Sequence, residues 1–290
     1  MAKNDSLKTE VINLIEEKKY KQIKDLLSTM QPFDIAELFE DIPGNNSILL
    51  FRLLPKDLAA ESFVEMDSDQ KEILISSFTD LELSNVVNEL YIDDMVDIVE
   101  EMPANVVNRI LNHADTNTRM IINEILKYPQ DSVGSIMTTE FISLRPSMTI
   151  AQPISRIREK GIDSETIDTC YVVDNVKHLI GTVSIRTIIL SKDDSLVDDV
   201  MDLNFVSVAT TEDQEAAVDL FAKYDLIVLP VVDKDTRLVG IVTVDDAIDV
   251  LQRETTEDIE IMAAITPSDK PYLKKTVIEI WKSRIPWLML

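Results

Sequence analysis

Glycine is scarce in this chain, with five in 290 residues. So few permissive backbone positions, beside many Leu, Ile, Asp and Glu residues, point to a helix-rich protein. No glycine-rich loop is present to cradle a phosphate group. Cysteine is scarcer still. The single thiol, Cys170, excludes an intramolecular disulfide, so nothing demands an oxidising compartment. Its place in the apolar run Cys170-Tyr171-Val172-Val173 marks a core residue rather than a nucleophile. The two histidines are His113, in a helical stretch, and His178, in the hairpin Asp174-Asn175-Val176-Lys177-His178. Neither stands in a Ser-His-Asp pattern, and no enzyme is expected.

Long apolar runs are also missing. The N-terminus Met1-Ala2-Lys3-Asn4-Asp5 lacks the apolar core of a signal peptide, and no complete span of about 20 apolar residues occurs. Basic residues number 28 against 53 acidic ones, a formal charge of −25. Such a surface repels phosphate backbones, so nucleic acid is excluded as a partner. It also strains the compact state by self-repulsion, which bound cations would relieve. A hydrophobic content of 45% over this length supports two or three domains with real cores.

The first part of the chain repeats itself. Ile42, Leu54, Met66, Phe78, Leu90, Met102 and Ala114 recur every twelve positions. Three residues earlier lie Phe39, Phe51, Phe63, Ile75, Val87, Val99 and Leu111. The residues that follow, Pro43, Pro55, Asp67, Thr79, Tyr91, Pro103 and Asp115, are mostly helix starters. Each unit is predicted to be a helix of about two turns, opened by proline at its first position or by a cap. Such a helix is marginal alone. The units must therefore stack as an α-solenoid from roughly residue 7 to 128.

At Tyr128-Pro129-Gln130-Asp131 the texture changes, and short apolar runs alternate with helical ones. Strands are expected at Phe141-Ile142-Ser143-Leu144, Tyr171-Val172-Val173 and from Leu179 to Ser184, with helices from Ile150 to Lys160 and from Arg186 to Leu190. The pattern then returns: Met137-Thr138 as Met201-Asp202, Phe141-Ile142-Ser143-Leu144 as Phe205-Val206-Ser207-Val208, Tyr171-Val172-Val173-Asp174 as Pro230-Val231-Val232-Asp233, and Gly181-Thr182-Val183-Ser184 as Gly240-Ile241-Val242-Thr243. Two tandem β-α-β-β-α units of about sixty residues follow from this.

These residues resemble a pair of CBS domains. The whole order resembles the cytosolic region of the MgtE family of magnesium transporters and channels. It combines an acidic helical-repeat domain, the join Tyr128-Pro129-Gln130-Asp131-Ser132 with Met137-Thr138-Thr139-Glu140, and the CBS pair. Segments such as Leu53-Leu54-Pro55, Lys223-Tyr224-Asp225-Leu226 and Thr255-Thr256-Glu257-Asp258-Ile259 fit it as well. The fold class expected is an all-α superhelical repeat domain, an α/β tandem CBS pair and a C-terminal connecting helix. The boundaries are 1–128 for the helical domain, 129–195 and 196–256 for the CBS domains, and 257–290 for the connecting helix and the start of a first transmembrane helix. A loop is expected after Thr255. Beyond it, Val277, Ile280 and Trp281 share one helical face, amid Lys274, Lys275, Lys282 and Arg284. The apolar run Ile285-Pro286-Trp287-Leu288-Met289-Leu290 then begins, as at a cytoplasmic membrane boundary.

Magnesium is small and hard and takes oxygen ligands in octahedral geometry. Asp93 and Asp97 lie four apart on one helical face, and Asp246 and Asp249 three apart, with Glu254, Glu257 and Asp258 beyond. Asp213 and Glu215 open a helix and Asp225 lies near its end. The resemblance implies cation binding at all of these and at Glu61. It further implies a homodimer through the CBS domains, the family's own transmembrane pore domain as partner, and a seat on the cytoplasmic face of the membrane. Magnesium held by acidic clusters between domains would favour a compact closed state, and low magnesium would open the gate.

CBS pairs often bind adenine nucleotides, with Ser or Thr and an Asp three residues later holding the ribose. Thr243 and Asp246 have that spacing, whereas Ser184 is followed by Thr187. ATP is therefore a weaker expectation, at Thr169, Arg186, Thr187 and Leu226. The alternative to the magnesium sensor is a soluble CBS adenine-nucleotide sensor whose helical repeats bind a protein.

Overall fold

A computed structural model describes residues 2–40, 42, 44–161, 164–267 and 275–288. They form two compact units, 1–127 and 128–290.

The first unit is all helix. After α1 (Ala2–Glu16) and α2 (Tyr20–Leu27) come α3 (Pro32–Glu40), α4 (Gly44–Phe51), α5 (Lys56–Val64), α6 (Ser68–Ser77), α7 (Asp80–Val87), α8 (Ile92–Glu101), α9 (Ala104–His113) and α10 (Thr116–Ile125). The last eight begin twelve residues apart, in step with the sequence period. Alternate helices pack together, α3 on α5, α5 on α7 and α7 on α9, with α4 on α6 and α8 on α10. Both apolar series are buried in this stack except Leu90 and Leu111, which are half-buried. Phe51, Phe63 and Phe78 meet at centroid distances of 5.1 to 6.3 Å and tie the two series together.

The caps explain the starts. Asp67 accepts a bond from Gln70 N at 2.8 Å, and Asp115 accepts from Asn117 N at 2.7 Å. Proline differs from expectation. Pro55 and Pro103 occupy the N-cap rather than the first helical position, with ψ of 152° and 146°. The N-cap asks only for a carbonyl that accepts the first helical bond, and Pro55 O accepts from Ala59 N at 2.8 Å. Pro43 lies outside the described residues.

The turn between α6 and α7 is held from two sides. Arg109 donates to the carbonyls of Ile75 and Phe78. Arg52 donates through Nε to Glu82 Oε1 at 2.7 Å, while Glu82 Oε2 accepts from Thr79 N at 2.8 Å in a capping box. The Arg52 guanidinium first, and the Thr79 N–H second, hold the Glu82 carboxyl down at about 2. A lowered acid stabilises the fold above its unfolded value, near 4.5, and that contribution fades as pH falls towards 2. Because the pair is partly exposed, Glu82→Gln should cost about 1 kcal/mol near pH 7. The difference from the parent should shrink between pH 4.5 and 2.5, as read by urea midpoints; a pH-independent difference would contradict this account.

The second unit holds the two expected β-α-β-β-α repeats. The first comprises β1 (Ser143–Leu144), α11 (Ala151–Lys160), β2 (Thr169–Val173), β3 (Leu179–Ser184), α12 (Ile185–Leu190) and the short α13 (Val197–Val200). The second comprises β4 (Val208–Ala209), α14 (Gln214–Tyr224), β5 (Val228–Val232), β6 (Leu238–Thr243) and α15 (Val244–Met262). Each sheet joins a short parallel strand to an antiparallel hairpin. β1 is shorter than expected because only Ser143 and Leu144 find partners on β2. Strand β2 is apolar on both faces, as a doubly covered strand must be. Cys170 and Val172 enter the core of their own repeat, while Tyr171 and Val173 meet Val228, Val232, Leu238 and Ile241 of the other. Burial pushes the Cys170 thiol up to about 12, which leaves it inert.

The repeats exchange their leading segments. Thr138 precedes the first repeat but pairs with Ile241 of β6 through two 2.9 Å bonds. Asp202 precedes the second and pairs with Thr182 of β3 at 2.8 and 3.0 Å. Met137 therefore lies on Gly240, and Met201 on Gly181.

Helix α15 corrects one expectation. No loop follows Thr255; the helix runs unbroken to Met262. No proline or glycine stands between Thr255 and Met262 to stop it, and the chain turns only at Ala264, with φ of 55°. Helix α16 (Val277–Leu288) comes last. Val277 and Trp281 are exposed on it. Lys274 and the end of the apolar run, Met289 and Leu290, lie outside the described residues. Among the described residues no helix is long and apolar enough to cross a membrane.

Candidate metal centre

The acids of the second unit gather where α14 packs on α15. Asp213 caps α14 and accepts from Glu215 N at 2.9 Å, which fixes the Asp213 carboxylate at the head of that helix, where Glu215 also starts. Between them the Gln214 side chain turns inward and is 1% exposed. Its Nε2 donates to Glu254 Oε1 at 2.6 Å, and its Oε1 accepts from Arg253 at 3.1 Å. The Gln214 backbone N–H meets the Asp131 carbonyl at 2.8 Å. A buried amide thus pins the middle of α15 against the head of α14.

The electrostatic result is a carboxyl that resists ionisation. Glu215 is raised above the ordinary glutamate range, first by its hydrogen bond with Glu254, then by the charges of Glu254, Asp213 and Asp258 and by partial desolvation. Three carboxylates, Asp213, Glu254 and Asp258, therefore act on Glu215 where the two helices meet. Like charges brought this close repel, and water screens that repulsion without removing it. A proton relieves one such contact. A divalent cation would relieve several. The donors are oxygens only, without sulfur or imidazole, which suits a hard cation such as Mg2+ or Ca2+.

A second group sits at the other end of α15. Asp246 forms a capping box with Thr243, whose hydroxyl lies 2.7 Å from Asp246 Oδ2 and also bonds Asp245. Asp249 is raised by desolvation of its carboxyl, although the residue as a whole is exposed, and next by Asp245; Arg253 opposes the shift. Asp246 and Glu254 are eight residues apart on the helix, roughly 12 Å. Glu257 is exposed in the second half of the helix. Asp225 closes α14 in the left-handed conformation, φ 52°, about 18 Å along the helix from Asp213. The expected ligands of this unit therefore form separate groups rather than one cage. In the helical unit, Glu61 is exposed on α5, and Asp93 and Asp97 lie one turn apart on α8, the first buried and the second exposed.

Three of the expected nucleotide residues do meet. Thr169 pairs in register with Ser184, whose Oγ caps α12 by accepting from Thr187 N at 3.0 Å, and Arg186 is exposed beside them. Leu226 stands in the other repeat, after α14. The two hydroxyls, Ser184 Oγ and Thr187 Oγ1, are 2.9 Å apart and satisfy each other.

Sequence reasoning missed Gln214, Arg253, Asp131 and Asp245. Only Asp245 left a signal, its i,i+4 relation to Asp249.

Comparison with known proteins agrees with this architecture. The MgtE intracellular N domain model matches residues 30–131, and the CBS domain model matches 133–192 and 197–253. A magnesium transporter MgtE of Thermus thermophilus is 32% identical over 280 residues, 95% of this chain and 62% of that protein. One of Bacillus subtilis is 28% identical over 286 residues, 99% of this chain and 63% of that protein. The chain thus spans less than two thirds of these curated relatives, which are named as transporters. A crystal structure of the cytosolic domain of the Mg2+ channel MgtE in complex with ATP superposes with a TM-score of 0.79 at 32% identity, covering 84% of this chain and 99% of that one. A crystal structure of the soluble part of a magnesium transporter gives 0.78 at 26% identity, covering 87% and 99%.

Proposed function

The chain belongs to the MgtE family, in which it corresponds to the cytosolic region, and from that premise we propose that it is the magnesium-sensing part of a membrane magnesium transporter or channel. The observation that carries this reading is the meeting of Asp213, Glu215, Glu254 and Asp258 between α14 and α15, with Glu215 held back from ionising by the others. Mg2+ binds there and, more weakly, at Asp225, Asp246, Asp249 and Glu257, and at Glu61, Asp93 and Asp97 of the helical domain. Occupied acids favour a compact closed state. When magnesium falls, their repulsion returns and the gate opens. Domain limits of 1–128, 129–195, 196–256 and 257–290, and a homodimer through the CBS domains on the cytoplasmic side of the membrane, complete the proposal. Exposed apolar residues on α12 and α14, among them Ile189, Leu190 and Tyr224, support association.

ATP is the second ligand to test, because a structure similar to this chain is a complex with ATP and because Thr169, Ser184 and Thr187 meet at one sheet end. Thermal unfolding at constant ionic strength separates the two. A site with millimolar affinity contributes about 1.4 kcal/mol at a tenfold excess of Mg2+. Magnesium alone should therefore raise the melting temperature by a few degrees, and metal-free ATP by less. A large shift with metal-free ATP and none with magnesium would transfer the function to nucleotide sensing.

A further inference from the structure

One ion pair in the second unit is unlike the others. Lys275 Nζ lies 2.7 Å from Glu260 Oε1, and the two side chains are 3% and 9% exposed. The other described ion pairs keep a quarter or more of each side chain in solvent. A buried pair adds little net stability, yet losing one partner strands a charge in the interior. Its value lies in fixing geometry. Here it joins the last turn of α15 to a residue two positions ahead of α16.

The surroundings reinforce that joint. Ile265 is buried and its N–H meets the Glu260 carbonyl at 2.8 Å, so the turn after α15 closes around the glutamate. Thr276 and Glu279 exchange capping bonds of 2.6 and 3.3 Å, which start α16 directly after the lysine. Farther along, the N–H and hydroxyl of Thr266 both donate to the Ser283 carbonyl at 3.0 Å. Pro286 follows within α16; with no N–H to give and a ring that crowds the preceding turn, it loosens the helical ladder where Thr266 enters.

We propose that Glu260 and Lys275 are a positioning pair that makes α16 move with α15. Glu260 lies three residues beyond Glu257 and two beyond Asp258. A rotation of the end of α15 when its acids bind an ion thus displaces the Glu260 carboxylate, and Lys275 carries that displacement into α16. The joint stands on its own geometry, whereas its use in signalling rests on the magnesium reading above.

Hydrogen exchange of the whole 290-residue chain tests both parts. In Lys275→Met, the α16 amides should exchange on the order of a hundredfold faster, while β5 and β6 keep their rates. Replacing both partners, Glu260→Leu with Lys275→Met, removes the stranded charge and should recover much of the protection. With Mg2+, α14 and α15 should gain protection in the parent and in Lys275→Met, but α16 only in the parent. Unchanged α16 exchange in Lys275→Met would overturn the joint. So would an equal acceleration of β5 and β6, which would make the pair a general support of the fold. If Lys275→Met does not fold, Glu260→Gln carries the same comparison. If magnesium protects nothing in the parent, the magnesium reading fails, and the basal comparison still decides the joint.

Discussion

Replacing Gly240 by alanine should destabilise the CBS pair by about 3 kcal/mol, at the upper end of overpacking losses. A Cβ at this position would lie 2.6 Å from Met137 Sδ and 2.8 Å from the Thr138 carbonyl oxygen. The thioether is flexible, but the carbonyl is not: it accepts from Ile241 N at 2.9 Å, so the segment cannot retreat without breaking its pairing with β6. The equivalent change at Gly181 should cost less, about 1 to 2 kcal/mol, because its Cβ would meet Met201 Sδ at 2.9 Å and the Asp202 oxygen at 3.1 Å. Adding Met137→Ala to Gly240→Ala should recover only part of the loss, since the backbone contact remains. Exchange of β5 and β6 amides under native conditions measures all three. Equal protection in the parent and Gly240→Ala would show that the leading segment moves freely.

That contact also marks where sequence reasoning stopped. The return of Met137-Thr138 as Met201-Asp202, and of Gly181 as Gly240, was visible as two repeats in tandem. Nothing in the spacing says that the methionine of one repeat covers the glycine of the other, because the exchange is a long-range pairing. Local rules served well elsewhere. The helical unit follows a twelve-residue period whose capping residues, Asp67, Thr79 and Asp115, do what their chemistry suggests. The proline-led helices begin one position later than expected because a proline carbonyl can open a helix as readily as a proline ring can occupy its first turn. The end of α15 was misplaced because Thr255-Thr256-Glu257-Asp258 looks polar enough for a loop. No proline or glycine interrupts the stretch, and its last turn is met by Lys275 on Glu260.

The candidate site was legible as residue types and illegible as groups. Asp213, Glu215, Glu254 and Asp258 span 46 positions, yet the other three act on Glu215, and the Gln214 amide bonds Glu254 across the two helices. A buried glutamine between two acids carries no periodic signal. The same list of acids included Asp225 and Asp246, which helix lengths place roughly 12 to 18 Å away along their own helices. Charge patterning thus picked out the acids, and only packing divides them into groups.

Neutralising Glu215 and Glu254 together should make the chain more stable without magnesium and nearly indifferent to it with magnesium. Glu215→Gln with Glu254→Gln keeps both side-chain shapes, and the new amide oxygen at position 254 can still accept from Gln214 Nε2, now at 2.6 Å from the glutamate. What disappears is charge repulsion. In the folded chain Glu215 is raised, so its ionised form opposes folding: the parent loses stability as pH rises from the unfolded glutamate value, 4.5, through the higher folded one. The double variant lacks that loss, and in chelator at pH 7 it should melt above the parent. In excess Mg2+ the order should reverse, because a cation held by the parent's four carboxylates adds about 1.4 kcal/mol at ten times its dissociation constant, whereas the variant offers two. Melting curves in chelator and in about 10 mM Mg2+, at matched ionic strength to remove general screening, report the crossing. If the variant melts below the parent in chelator, the two glutamates do not repel. If both chains gain equally from magnesium, the ion binds elsewhere, and the group of acids at Asp245, Asp246 and Asp249 becomes the next to neutralise.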